Sequence, residues 1–444
     1  MFSIQNVLRR ARTLNPAVAL PIACLLAVGH ARADDDAAAK AFMENFRKGV
    51  IEAPLDRFVS LPGIWQMTPD ALDAAFALPK GVNVRRNPHF NWMSEKRERA
   101  VFMPQPYSNL RLNMTIFDGD LPLEEVTVDF IGEKMNGIRM SLFNRGDSED
   151  IGADEFDRRF RITGQKMNEI MGVRPTMRRA NYNQGLVTEG WIWISPQGMA
   201  LLDYNPEAMD GGDREFLRLW LAPRDAQGLM AAAFQNRPPS SARMRGLADN
   251  VSREESGDVL IRNIPMVDQG PKGYCVVASV QRLFEYYSIP ADQHQLAQIA
   301  GSDAARGTSL LAIAEALGKI DFRFKTRFRI HAMAHNGSLV TVNQRQMTVD
   351  KPFSEADFLR MIRRSVDSGI PVLWSLILGQ FPEIPPISPQ TSGGHMRMII
   401  GYNEEKNQII FSDSWGAGHE IKRMNLRHAY RASTALFTIS PTVM

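Results

Sequence analysis

Four residues have types and spacing that could do chemistry together. Cys275 ends the Gly/Pro-rich stretch Gln269-Gly-Pro-Lys-Gly-Tyr and starts an apolar run. Val276, Val280, Leu283, Phe284 and Tyr287 fall on one stripe at helical spacing, so the thiol stands at or beside a helix N-terminus. Unpaired N–H groups and the positive end of the helix dipole favour thiolate there. Gln269, six residues earlier, carries an amide that could donate to an oxyanion formed at the thiolate's target. A small buried cysteine starting a core helix fits this stretch equally well, and two later residues favour chemistry. His395 opens an apolar strand, and Asp413 closes the next one in Ser412-Asp413-Ser414-Trp415-Gly416. Two strands and a turn would set the start of the first beside the end of the second. Packed against the Cys275 helix, the three form a thiol–imidazole–carboxylate relay. Cys275 is then the nucleophile, His395 moves the proton, and Asp413 fixes the ring. Gln269 and the Cys275 backbone N–H would serve as the oxyanion donors, and Trp415 would shield the His–Asp bond. An amide at position 413 is expected to serve almost as well as the carboxylate, because the thiolate already balances an imidazolium.

The elements that must position these residues occupy the C-terminal part of the chain. Strand Val259–Ile264 precedes the cysteine loop, and helices are expected over Asp292–Ala300, Thr308–Leu317 and Ser354–Val366. Asp321–Ile330 alternates strictly, with Phe322, Phe324, Phe328 and Ile330 on one face and Arg323, Lys325, Arg327 and Arg329 on the other. Such a basic face is read as solvated. Strands Pro371–Leu378, His395–Tyr402, Gln408–Phe411 and Ala435–Ile439 follow. Earlier in the chain, helices are expected over Ala38–Val50, after the Thr68-Pro69 cap, and over Phe156–Met171. Strands are expected at Arg111–Phe117, Val126–Ile131 and Ile138–Phe143, with a turn at Asn136-Gly137, and at Val187–Ile194, Gly198–Tyr204 and Glu215–Leu221. No catalytic motif falls in that part.

With 444 residues, 44% hydrophobic and 23% charged, the chain has ordinary globular composition and length for two domains. Arg9, Arg10 and Arg12, an apolar run from Ala17 to Val28 and Ala31-Arg32-Ala33 have the form of a secretory signal peptide. Cleavage there removes four arginines and no acid, taking the formal charge from +3 to −1. Net charge therefore gives no reason to expect nucleic acid as a partner, and no later stretch suits a membrane span. The expected organisation is a signal peptide over 1–33, an N-terminal α+β accessory domain over 34–235, a polar linker over 236–257 and a catalytic α+β domain over 258–444. The mature chain is secreted or periplasmic, and Cys24 is an alternative site of lipid attachment. With Cys24 removed, Cys275 is the lone cysteine, which rules out an internal disulfide.

Gln269 before Cys275, a helix from Cys275, His395 at a strand start and Asp413-Ser-Trp-Gly416 together resemble the papain-like cysteine peptidases. Aspartate as third member is most similar to the peptidases that trim double-glycine leaders from bacteriocin precursors, and to their exported relatives. Val276 after the cysteine and Met396-Arg397 after the histidine depart from that family's pattern. The resemblance runs from Val259 to the C-terminus. It implies a papain-like fold, with a helical half and an antiparallel sheet half, and cysteine-type peptide hydrolysis through a thioester. It requires neither cofactor nor metal, and no local ligand pair supports a site at Cys275, His395 and His419. A peptide or protein would be the substrate, and the N-terminal domain would recognise a partner or cover the cleft. Acyl transfer, non-peptide amide hydrolysis and a non-catalytic binding scaffold are the alternatives.

Overall fold

The computed structural model describes residues 40–79, 87–104, 110–145, 147, 151–180, 187–209, 213–235, 244–270, 273–300, 315, 318, 324–343, 348–386 and 392–442. The signal-peptide pattern, Cys24 and most of Thr308–Leu317 lie outside them. The architecture is α+β, with helices packed on antiparallel sheets.

An eight-stranded sheet dominates the N-terminal part of the described residues. Its middle holds Arg99–Phe102 (β1), Glu125–Ile131 (β2), Lys134–Asn144 (β3) and Phe216–Ala222 (β4), in the order β1-β2-β3-β4. Helix Ala153–Met171 (α1) has the left-handed Gly172 as its C-cap. Its Phe156, Met167 and Met171 join the sheet's core. Thr68 caps the helix Pro69–Ala75 by accepting from the Ala71 N–H, with proline in the first turn as expected. The expected turn at Asn136-Gly137 is displaced. Gly137 pairs with Asp129 inside β3, where a Cβ would fall 2.2 Å from Met230 Cε. The chain turns instead at Gly132-Glu133, where Gly132 has φ +58°.

A ten-stranded sheet occupies the C-terminal part of the described residues. Its centre is Asp258–Ile261 (β5), Thr326–His335 (β6), Val372–Leu378 (β7), Gly393–Asn403 (β8), Gln408–Ser412 (β9) and Ser433–Pro441 (β10). The order is β5-β8-β7-β10-β6, and β9 also pairs with β8. Strand alternation divides the core in two. Met396, Met398 and Ile400 of β8 meet the helix Cys275–Tyr286 (α2) on one face. Ile399, with Trp374 and Leu436 of neighbouring strands, meets the helix Glu355–Asp367 (α4) on the other. Between them in sequence lies Gln293–Ala300 (α3). Several boundaries differ from expectation: β8 starts at Gly393, two residues before His395, and β5 ends at Ile261. Lys325 takes φ +54°, which breaks the alternating run, so β6 starts at Thr326; residues 321–323 lie outside the described ones. Within the stretch read as linker, Val251–Arg253 pairs with β5; its polar side chains suit a strand at the end of the sheet order.

Charged side chains join the N-terminal sheet to α2 and to the start of α3. Arg99 of β1 reaches Asp129 at 2.6 Å and Glu285 of α2 at 2.8 Å, and Arg139 of β3 reaches the same two acids at 3.4 and 3.6 Å. The four close a ring, and Glu285 is only 2% exposed. Arg218 of β4 lies 3.4 Å from Asp292, just ahead of α3. A buried ion pair adds little net stability, but removing one member strands the other charge. Arg99→Ala is therefore expected to cost about 3–5 kcal/mol. Urea unfolding of the purified variant checks this, and an unchanged midpoint would remove the ring's structural role.

Candidate active site

Helix α2 begins at Cys275, with Tyr274 as N-cap residue. The expected apolar stripe is fully in the core, from Val276 to Tyr287. The helix is nevertheless not one-sided, since Ser279, Gln281, Arg282 and Glu285 are buried too. Their partners explain this. Glu285 meets the arginines of the N-terminal sheet. Arg282, two turns beyond the cysteine, donates to the carbonyls of Pro265 and Asp413 at 2.8 and 2.7 Å and to Ser412 Oγ at 2.6 Å. Ser279 Oγ lies 3.5 Å from the Met396 carbonyl. The thiol-bearing helix is thus tied by side chains to β8, the strand that carries the histidine, and to the end of β9.

Pairing of β8 with β9 runs from Asn403↔Gln408 to Met398↔Ser412. This hairpin brings His395 Nε2 to 2.6 Å from Asp413 Oδ1 across 18 residues of sequence. Both side chains are 0% exposed, whereas Cys275 is only half-buried. Nδ1 of His395 is buried without a hydrogen-bond partner, and the ring lies close enough to Cys275 to act on its thiol. Trp415 stacks on His395, with centroids 4.3 Å apart and planes 15° apart, so an indole covers one face of the imidazole. Beyond it, His419 meets Trp415 edge-on at 5.5 Å.

Gln269 lies against the same segment. Its backbone N–H donates to the Ser414 carbonyl at 2.9 Å, and its side-chain oxygen accepts from Ser414 Oγ at 2.9 Å. That bond leaves the amide's NH2 end as the donor side. The next residue, Gly270, has φ +67°, and a Cβ there would sit 2.7 Å from Met103 Cε. On the other side, Met93 Cε lies 3.7 Å from the Cβ position of Gly416. Met93, Val101 and Met103 form an apolar cluster with Met266. The N-terminal part of the chain therefore backs both segments that flank the histidine.

Spacing in sequence did not reveal the charges behind Asp413. Arg397 Nε lies 2.7 Å from Asp413 Oδ2. Arg397 Nη1 lies 2.5 Å from Glu383 Oε2, and Lys422 Nζ pairs with the other Glu383 oxygen. Arg397 stands two residues after His395 on one strand, so period 2 puts both on one face. That spacing was a readable signal; Glu383 and Lys422 gave none.

Burial would raise the Cys275 thiol, but the hydrogen bond and charge of His395, with the Met396 backbone N–H, hold it below its ordinary value. For His395, burial acts downward, and Asp413 and Cys275 outweigh it, raising the ring to about 9. Burial would raise Asp413, yet His395, Arg397 and Lys422 hold it well below the usual carboxylate range. Burial pushes His419 down to about 4, so it is neutral at neutral pH. Between the lowered thiol and the raised ring lies a pH window in which thiolate and imidazolium coexist. Such a pair can attack a carbonyl carbon and return a proton to its leaving group.

Fold and site together set a buried imidazole–carboxylate pair and a half-buried thiol at a helix start on an α+β scaffold. Residues 261–436 match the model of the Peptidase_C39 like family. The C-terminal region is accordingly related to the papain-like C39 peptidases, a relationship that suggests cysteine peptidase activity. The match spans all four residues Gln269, Cys275, His395 and Asp413 and excludes the N-terminal sheet. No curated protein matches the chain.

The lowered thiol and raised ring give a direct expectation. At pH 6, iodoacetamide should modify Cys275 as the single site in the chain lacking residues 1–33, at a rate well above that of a free thiol. His395→Ala should slow it by about tenfold or more, because the imidazolium that stabilises thiolate is gone. Mass-resolved alkylation rates decide it, and an inert Cys275 would sink the thiolate assignment.

Proposed function

We propose that the chain is an exported cysteine peptidase that hydrolyses peptide bonds through Cys275, His395 and Asp413. The observation that carries this reading is the fully buried His395–Asp413 pair together with a half-buried thiol at a helix start, a thiol that His395 holds below its ordinary pKa. The family match over the same residues supports it, and the N-terminal signal pattern supports export.

In the first half-reaction, the Cys275 thiolate attacks the scissile carbonyl carbon and forms a C–S bond. The carbonyl π electrons move to oxygen. Gln269's amide and the Cys275 N–H, unpaired in the first helical turn, are the donors for that oxyanion. As the intermediate collapses, the C–N bond breaks and its electron pair goes to nitrogen. The imidazolium Nδ1–H protonates that nitrogen, so an amine leaves and a thioester remains. In the second half-reaction, neutral His395 takes a proton from water as the oxygen attacks the thioester. C–S cleavage then releases the acid and restores the thiolate–imidazolium pair. Asp413 holds the Nε2–H throughout, which fixes the tautomer that points Nδ1 at sulfur.

Role and geometry at position 413 now reverse the expectation that an amide would serve. Asp413 Oδ2 faces the buried Arg397 guanidinium. Asparagine could accept from His395 only by turning its NH2 toward that cation, or face the cation with oxygen only by donating to Nε2. The first arrangement turns the amide's positive end toward the cation, and the second imposes the wrong tautomer. Asp413→Asn should therefore lose on the order of a hundredfold in kcat/KM, as should Asp413→Ala. Assays of both variants against a fluorogenic peptide library, with folding checked by circular dichroism, test this. A loss of tenfold or less for Asn would show that the site accepts a neutral partner.

A further inference from the structure

The peptidase reading leaves a buried arginine unused. Arg397 is 0% exposed and sits on one oxygen of Asp413, while His395 holds the other at 2.6 Å. Arg397 is not needed to aim the carboxylate. The Ser414 N–H donates to Oδ1 at 3.1 Å, the Asp413 N–H donates to the His419 carbonyl at 2.9 Å, and Arg282 holds Asp413's own carbonyl at 2.7 Å. Moreover, the 2.7 Å contact lies off the N–H direction, since neither Arg397 Nε nor Asp413 Oδ2 makes a formed hydrogen bond. Its contribution is charge.

Signs alternate along the line His395, Asp413, Arg397, Glu383, Lys422, in which Glu383 alone is partly exposed. A buried carboxylate facing imidazolium alone would hold that proton strongly, because the low-dielectric interior magnifies their attraction. A ring that keeps its proton too firmly is a poor acid toward a leaving amine. A permanent cation on the far oxygen weakens that hold, and an acid behind the cation tempers it in turn. We propose that Arg397, acting through Asp413, is a positioning residue for the His395 proton that sets how readily the ring releases it, and that Glu383 sets how much of Arg397's charge Asp413 feels. This rests on the peptidase reading above. The other charged and titratable groups around the ring and carboxylate are Cys275 and Arg282 from α2, and His419, Glu420 and Lys422 from the segment after β9. All of them stay unchanged in the test.

The test measures alkylation of Cys275 in the full chain by iodoacetate and iodoacetamide across pH. An imidazolium beside the thiolate favours the anionic reagent, so the ratio of the two rates falls as His395 loses its proton. The midpoint of that fall reports the ring. Arg397→Met should raise the midpoint by about one pH unit, and Glu383→Gln should lower it by about half a unit. Arg397→Lys, which keeps the charge, should stay within about 0.3 units of wild type. A purely structural role would shift Arg397→Met and Glu383→Gln in the same direction or not at all, and either result overturns the proposal. If Arg397→Met does not fold, Glu383→Gln decides alone, and a midpoint that fails to drop is fatal. Wild-type Cys275 that resists both reagents overturns the peptidase reading instead.

Discussion

A carboxylate with no exposed surface must have its charge answered within the protein, and at Asp413 that requirement shapes the whole site. Its two oxygens take an imidazole and a guanidinium, and its backbone is held by Arg282 from the helix that begins with the thiol. These partners come from two elements: His395 and Arg397 from β8, Arg282 from α2. Satisfying one buried charge therefore fixes the helix, the strand and the loop after β9 relative to one another. An apolar core alone would set their approximate packing, but hydrophobic contact is not directional. The directed bonds supply the ångström-scale placement that a thiol–imidazole pair needs.

The same logic extends outward through α2. This helix is buried around its circumference, with its apolar stripe on the C-terminal sheet and its polar residues paired elsewhere. Glu285 belongs to a ring of two arginines and two acids shared with the N-terminal sheet. Met93 and Met103, from that same part of the chain, back the glycines beside Gln269 and Trp415. A seam rich in paired charges with a narrow apolar strip is specific in geometry. Its two faces also remain tolerable to water when parted, since charges can be rehydrated. The N-terminal part is therefore integral to how the site's flanking segments are held.

Local periodicity made much of this readable from the residues alone. The Cys275 helix, the β8–β9 hairpin and the capped helices each depend on contacts within a few residues or across one turn, and a repeat of 3.6 or 2 reports them directly. Because the hairpin is local, the neighbourhood of His395 and Asp413 followed from spacing, and Trp415 beside the acid was expected to shield their bond; its stacking on the ring came only with the fold. Where local rules competed, the reading slipped: Asn136-Gly137 has turn chemistry but is held in a strand by its neighbours, and Lys325 breaks an alternation that looked unbroken.

What tertiary structure decided is which charge meets which. Glu383 lies on a loop, Lys422 on a short strand after β9, and Arg99 and Glu285 are separated by 186 residues. A polar side chain on a helix or strand reads as solvent-facing in any periodic pattern, since nothing local marks its partner. Whether α2 has a wet face or a buried ionic one, and whether Asp413 faces water or Arg397, depends on long-range packing. Local pattern located most elements and the order of the reactive groups; the electrostatic surroundings of those groups came with the fold, because Coulomb interactions act through space and not along the chain.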